Sequence, residues 1–427
     1  MTIRPPLSIR FLWFVLLWCV FSFKVLLGGI QEAGLRVDDL LLVVAFAVLV
    51  IRGDIRRIPR SATVRAYLVF VLISLCSATW NGIVGRVSFI YSLLFVIRLI
   101  EYIIFYYLGY ILMENGFRIW RWLKMYFYLL CVAVPLQMMH LLPTASPFDV
   151  SRASGNTNGP YELAAVSAFF FCYFGYRERK RVKASLAAIL LLLTAARSTI
   201  AGAILSLSLR FVSQRKSKRK AVLAICLVVL LLWGGKTLIS SLGNRDDASE
   251  SVAGRLYSSS TLLSIDLPSL YAGVPSYETS DAYMNGMFVD SGAEAGNVDA
   301  DKSGMLRVFR WASLIKSTMA QFDSIVIGMG PSFGSAAVDG YLVRVFIETG
   351  LAGFIAFLLF IRTLLKTEGD NSGAFRDFII ILLVTGVFID IFASYKTMLF
   401  LWLWGGISEY ESRGSRGDHA CGLSNEG

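Results

Sequence analysis

The chain has 427 residues, of which 56% are hydrophobic and only 17% charged, against roughly 45–50% and 25% in ordinary globular domains. This composition, with a mean hydropathy of +0.62, excludes a soluble globular domain, and repeated apolar runs of bilayer-spanning length point to an all-α polytopic membrane protein. The formal net charge of +11 then reads as cationic loops that hold one membrane face rather than as a nucleic-acid surface, so no nucleic-acid partner is expected.

The basic loops set the expected topology. The start, MTIRPPLSIR, is basic and placed in the cytoplasm, so residues 11–30 lead out and residues 39–51 return. The first run lacks a small-residue cleavage site and is read as an anchor. IRGDIRRIPRSATVR carries five arginines and one acid and is placed inside. Residues 64–80 exit, 87–113 return to FRIWRWLK, and 122–142 exit to a loop punctuated by Pro, Gly, Ser and Asn. Residues 160–176 return to RERKRVK.

Residues 184–212 lie between two strongly basic segments, RERKRVK and RFVSQRKSKRK. An even number of crossings is required there, which makes the run a short hairpin with TAARS at its tip. Arg197 is thereby placed on the disfavoured outer side, where an arginine is costly unless it meets an anion, water or a carboxylate. A helix-end arginine snorkelling to headgroups is the other reading.

Residues 221–238 exit into one large extramembrane segment, 239–337. From Asp246 to Asp301 it has ten carboxylates and one basic residue, Arg255, and its polar, aperiodic composition predicts mostly irregular structure. Residues 304–320 predict an amphipathic helix with Val308, Ala312, Ile315 and Met319 on one face and Arg307 and Arg310 on another. Residues 340–360 return, 378–390 exit and 396–404 bring the C-terminus inside, with a disordered tail expected from Ser408. The expectation is about twelve spans. They divide into an N-terminal bundle of about nine (1–238), the large periplasmic loop between the ninth and tenth spans (239–337), C-terminal helices (338–407) and a cytoplasmic tail (408–427).

The informative charges are those on the outer side or inside a span. Arg98 and Glu101 stand three apart on one helix and can neutralise each other. Arg152, Arg197, Arg307 and Arg310 are all expected on the outer face, and Arg344 follows at the next helix start. A guanidinium fork matches phosphate oxygens bidentately and can stabilise a departing diphosphate without a metal. No H-x-x-x-H pattern stands on an outer loop, and none of the six cysteines is in a C-x-x-C pair, so neither a metal nor another cofactor is expected. Asp339 is either the N-cap of its helix or a general base for an acceptor hydroxyl. Glu348 is either that base or the partner of Arg344 in a buried ion pair. His140 is read as a helix-end residue.

The order of these motifs resembles the O-antigen polymerase/ligase superfamily of the Wzy and WaaL types, which includes exopolysaccharide polymerases. The similar features cover residues 150–360: Arg152 followed by Gly155, Asn158 and Glu162; Thr194, Arg197 and Ser198; a large late loop; Arg307 with Trp311; Ile327, Gly328 and Gly330. The last is a helix start with Asp339, Gly340, Tyr341, Leu342, Glu348, Gly350 and Gly353. The ligase branch carries a histidine where Asp339 stands here, so the resemblance implies a polymerase of the bacterial inner membrane. It implies undecaprenyl diphosphate-linked glycan as substrate, membrane lipid and a chain-length regulator as partners, the arginines on the diphosphate, and Asp339 or Glu348 at the acceptor. A ligase that transfers glycan to lipid A core or protein, and a flippase of lipid-linked sugars, are the alternatives.

Overall fold

The computed structural model describes residues 6–22, 26–28, 35–58, 61–143, 153–214, 267–293, 302–334, 338–366 and 372–422. The fold is helical. The bundle helices are α1 (Leu7–Phe21), α2 (Val37–Ile51), the short α3 (Asp54–Arg57), α4 (Ala62–Val84), α5 (Phe89–Glu114), α6 (Ile119–Met138) and α7 (Pro160–Cys172). A π-helical turn, Tyr173–Arg177, extends α7 into α8 (Arg181–Leu193), and α9 (Arg197–Gln214) follows. A short antiparallel pair, β1 (Leu26–Gly28) with β2 (Leu35–Arg36), lies between α1 and α2.

The large loop contributes α10 (Leu267–Gly273), α11 (Ser280–Ala293), α12 (Lys302–Met319) and α13 (Phe322–Ile327). The chain then re-enters the bundle as α14 (Tyr341–Leu365), α15 (Ser372–Phe388) and α16 (Tyr395–Gly422). Among the described residues, four helices are long and apolar enough to cross a membrane: α4, α5, α6 and α14. The remaining expected spans do not meet that measure or, like residues 221–238, lie outside the described residues.

The bundle is built on three long pairings: α5 along α16, α4 along α14, and α9 along α15. Glycine permits the first. A Cβ on Gly109 would stand 2.6 Å from the Leu403 carbonyl oxygen, and one on Gly406 2.1 Å from that of Tyr106. Such contacts are the small-residue close approach by which helices associate without a hydrophobic driving force between them. Aromatic side chains fill the space around these seams, with Tyr67 wedged between Phe360 and Trp402 at 4.8 Å from each.

Three expectations give way. Residues 267–273 and 280–293 of the acidic segment are helical, because they are tied into the fold: Lys316 Nζ donates to the Ala272 and Val274 carbonyls at the end of α10. Ser280 N donates to Arg86 O at 2.9 Å. The buried face of α12 carries Ser313, Leu314, Ser317 and Thr318, while Met319 is exposed. The hydroxyls are not stranded there. Ser317 and Thr318 donate to carbonyls one turn back, and Ser313 donates to Pro275 O. Finally, α16 continues through the segment expected to be a disordered tail, as far as Gly422.

Residues 184–212 form two helices joined by a sharp turn, with Ala195 at φ 51. The turn falls at the expected TAARS tip, and the two legs pack mainly on other helices, α8 on α7 and α9 on α15.

Candidate functional site

The loop segments α10–α13 gather at one end of the bundle, against the α4–α5 turn and the start of α14. Two glycines make the docking possible. Gly328 has φ +81 and Gly350 φ +63, the left-handed region that side chains rarely adopt. At Gly350 the α14 backbone leaves helical geometry, which frees carbonyls that the loop then occupies. Met329 N donates to Ile347 O at 2.7 Å and Gly330 N to Glu348 O at 3.2 Å. The Ser77 hydroxyl on α4 donates to the same Glu348 carbonyl at 2.7 Å.

A second clamp holds α13. Arg86, at the end of α4, pairs with Asp323 at 2.8 Å and donates to Asn81 Oδ1 at 3.0 Å and to Gln321. Its hydrogen bond to Asp323, with help from Trp80, holds that carboxyl below the ordinary aspartate range.

Two charged constellations meet at the start of α14. In the first, Arg307 Nε on α12 faces Asp339 Oδ2 at 3.3 Å, with the Tyr161 hydroxyl of α7 in hydrogen-bonding range. Burial works against the Arg307 charge, but Asp339 and Tyr161 outweigh it and raise the pKa. Arg310 lies one turn further along α12, half-buried, within electrostatic reach of the Tyr283 phenol. Burial pushes that phenol up to about 12, so it remains an O–H donor.

In the second constellation Arg344 is buried between two acids, with Nη2 3.2 Å from Asp390 Oδ2 and Nε 3.9 Å from Glu348 Oε1. Its guanidinium also lies 5.5 Å from the Phe95 ring centre. Glu348 accepts from Ser332 N at 3.1 Å. A narrow crevice lined by Ser74, Phe95, Pro331, Tyr341, Arg344 and Glu348 opens here.

The helix start joins the two constellations, and it settles one open reading. Gly340 is the N-cap of α14, and Asp390 Oδ1 accepts from its N–H at 3.3 Å. Asp339 therefore does not cap the helix. It stands at φ 47, and its side chain is 42% exposed and turned to Arg307. Trp311 fixes the approach, with its indole N–H donating to Val338 O at 2.7 Å and its ring 6.4 Å from that of Phe388.

Among the expected site residues, Arg307, Asp339, Arg310, Arg344 and Glu348 gather at this end. Arg197 is the first residue of α9 and half-buried. Two residues on, Thr199 meets Thr385 of α15 at 3.2 Å, five residues before Asp390. Arg152 lies outside the described residues. Glu162 is a brace: it accepts from Asn158 N, Ser394 Oγ and Lys396 N at 2.6–2.7 Å.

The sequence reading passed over Tyr161 and Tyr283, which carried no charge signal, and also over Arg36 and Asp38. The Asp38–Asp39 pair at the head of an apolar run was a visible signal that buried charges stand there. A scan against models of known protein families finds no match, and a search of the curated proteins finds none either.

Proposed function

We propose that this chain is a membrane glycosyltransferase that polymerises undecaprenyl diphosphate-linked oligosaccharide repeat units without a metal. In this reading the loop segment 239–337 is periplasmic, about twelve spans cross the bacterial inner membrane, and both termini are cytoplasmic. The observation that carries the proposal is the meeting, at the start of the broken helix α14, of the Arg307–Asp339 pair with the Arg344–Asp390 pair, with Arg310 one turn from Arg307 along α12.

The chemistry follows from the charges. An acceptor sugar hydroxyl attacks the anomeric carbon of the donor chain. The bond from that carbon to the diphosphate oxygen breaks, and undecaprenyl diphosphate leaves with the electron pair. Arg307 and Arg310 stabilise the charge that develops on it, which counts for most in a site poor in water. Arg197 and Arg152 join them on the strength of the family resemblance.

Geometry separates the two acids. The Asp339 carboxylate is reachable and receives the hydroxyl proton. Glu348 is buried against Ser332 N and Arg344, and positions both.

A strain lacking the protein tests this reading. It is expected to accumulate single lipid-linked units on the outer leaflet, and an Asp339→Asn protein that folds is expected not to relieve the accumulation. Units accumulating on the inner leaflet would instead mark a flippase.

A further inference from the structure

A second group of buried charges lies away from the arginines already assigned. Arg36 and Asp39 stand at the start of α2, each only 6% exposed. Asp39 Oδ2 accepts from Arg36 N at 2.9 Å. Among the described residues, however, Asp39 Oδ1, Arg36 Nε and Glu101 Oε2 of α5 are buried atoms without a hydrogen-bond partner. A buried polar atom left unpaired costs about 1–3 kcal/mol. Helix α2, which carries Asp39, packs against α5, which carries Glu101, and Glu101 lies within electrostatic reach of Asp39, Arg98 and Arg36.

We infer that Arg36, Asp39 and Glu101 form a second subsite, which binds the hydroxyl groups of a sugar carried on a lipid diphosphate. The inference rests on the proposed function and deepens it, because a polymerase must hold two glycans, one as donor and one as acceptor.

The chemical class follows from the donor set. One N–H donor and two carboxylate acceptors are unpaired among the described residues. The surrounding charges are mixed, with Arg36, Arg98 and Lys396 among Asp38, Asp39, Glu101 and Glu162. A mixed set suits a ligand that both donates and accepts hydrogen bonds. A neutral sugar ring offers both O–H donors and oxygen acceptors. Aromatic side chains border the group: the Arg36 guanidinium lies 5.3 Å from the Tyr395 ring centre, and the Trp18 indole donates to Asp38 at 3.3 Å.

The place in the fold suits such a substrate. Glu101 falls on the same face of α5 as Leu94 and Ile97, which are exposed along the side of the bundle. A headgroup on a lipid tail reaches that face from the bilayer. Inward, the Tyr102 hydroxyl donates to Ala393 O at 2.8 Å, three residues from the Asp390 that holds Arg344.

The test uses the full-length protein in lipid nanodiscs and two probes: undecaprenyl diphosphate alone, and the same lipid carrying the repeat unit extracted from the source cells. Wild type is expected to bind both, the glycan-bearing lipid more tightly. Asp39→Asn and Glu101→Gln, which keep side-chain shape, are expected to lose that preference by tenfold or more while their affinity for undecaprenyl diphosphate is unchanged. Variants that keep the full preference would overturn the subsite. Wild type that binds neither probe would remove the polymerase reading and the subsite with it. If Asp39→Asn fails to fold, Glu101→Gln alone decides.

Discussion

Asp390 reaches Arg344 at 3.2 Å from outside its helix and, with its other oxygen, accepts the N–H of Gly340 at that helix's start. One carboxylate thus fixes both the beginning of α14 and the guanidinium in its first turn. Removing it leaves Arg344 buried with Glu348 at 3.9 Å. Asp390→Ala is expected to cost about 3 kcal/mol, as broken buried pairs do, read as a lowered melting temperature in detergent. The double variant Arg344→Met, Asp390→Leu is expected to regain much of that stability and none of the activity.

The break in α14 is equally strict. A Cβ on Gly350 would stand 2.5 Å from Gly328 N and from the Val326 carbonyl, and one on Gly328 2.4 Å from the Glu348 carbonyl carbon. Neither neighbour is a side chain that can swing away. Gly350→Ala and Gly328→Ala are each expected to cost more than about 4 kcal/mol, seen as loss of the monodisperse peak in size-exclusion chromatography.

The Arg86–Asp323 clamp gives a pH dependence. Because Arg86 holds the Asp323 carboxyl below its unfolded value, the clamp's stabilisation is complete above about pH 4 and is lost as pH falls through the lower folded value. The protection factors of the amides of residues 322–327, corrected for intrinsic exchange, are expected to stay flat from pH 8 to 5 and to fall only at more acid pH. Asp323→Asn is expected to raise exchange at neutral pH and to abolish the step.

The two acids of the site separate by variant. Asp339 is partly exposed, and its pair with Arg307 adds at most about 1 kcal/mol to stability. Asp339→Asn is expected to leave the melting temperature nearly unchanged while it lowers the rate of polymer formation by about 10² to 10⁴. Glu348→Gln is expected to lower both together.

The helical character and the four helices long and apolar enough to cross a membrane were legible, because they rest on composition and run length alone. Gly328, Gly330 and Gly350 were all visible in the sequence, but not the joint they make, since it pairs backbone atoms some twenty residues apart. Asp390 stood out as a charge in an apolar run, yet its reach to Arg344 depends on how α15 lies against α14. The α12 helix was legible, but its buried face was not, because its serines and threonine satisfy their own hydroxyls and can be buried like small apolar residues. The Arg36–Asp39 group escaped notice because it opens a run read as a span.

The most direct measurement is polymerisation by the purified protein in lipid, given only undecaprenyl diphosphate-linked repeat units in the presence of EDTA. Wild type is expected to produce a ladder of lengthening chains, and Arg307→Ala to produce none. Absence of a ladder with wild type, with transfer only once a lipid A core is supplied, would contradict the polymerase and make the protein a ligase.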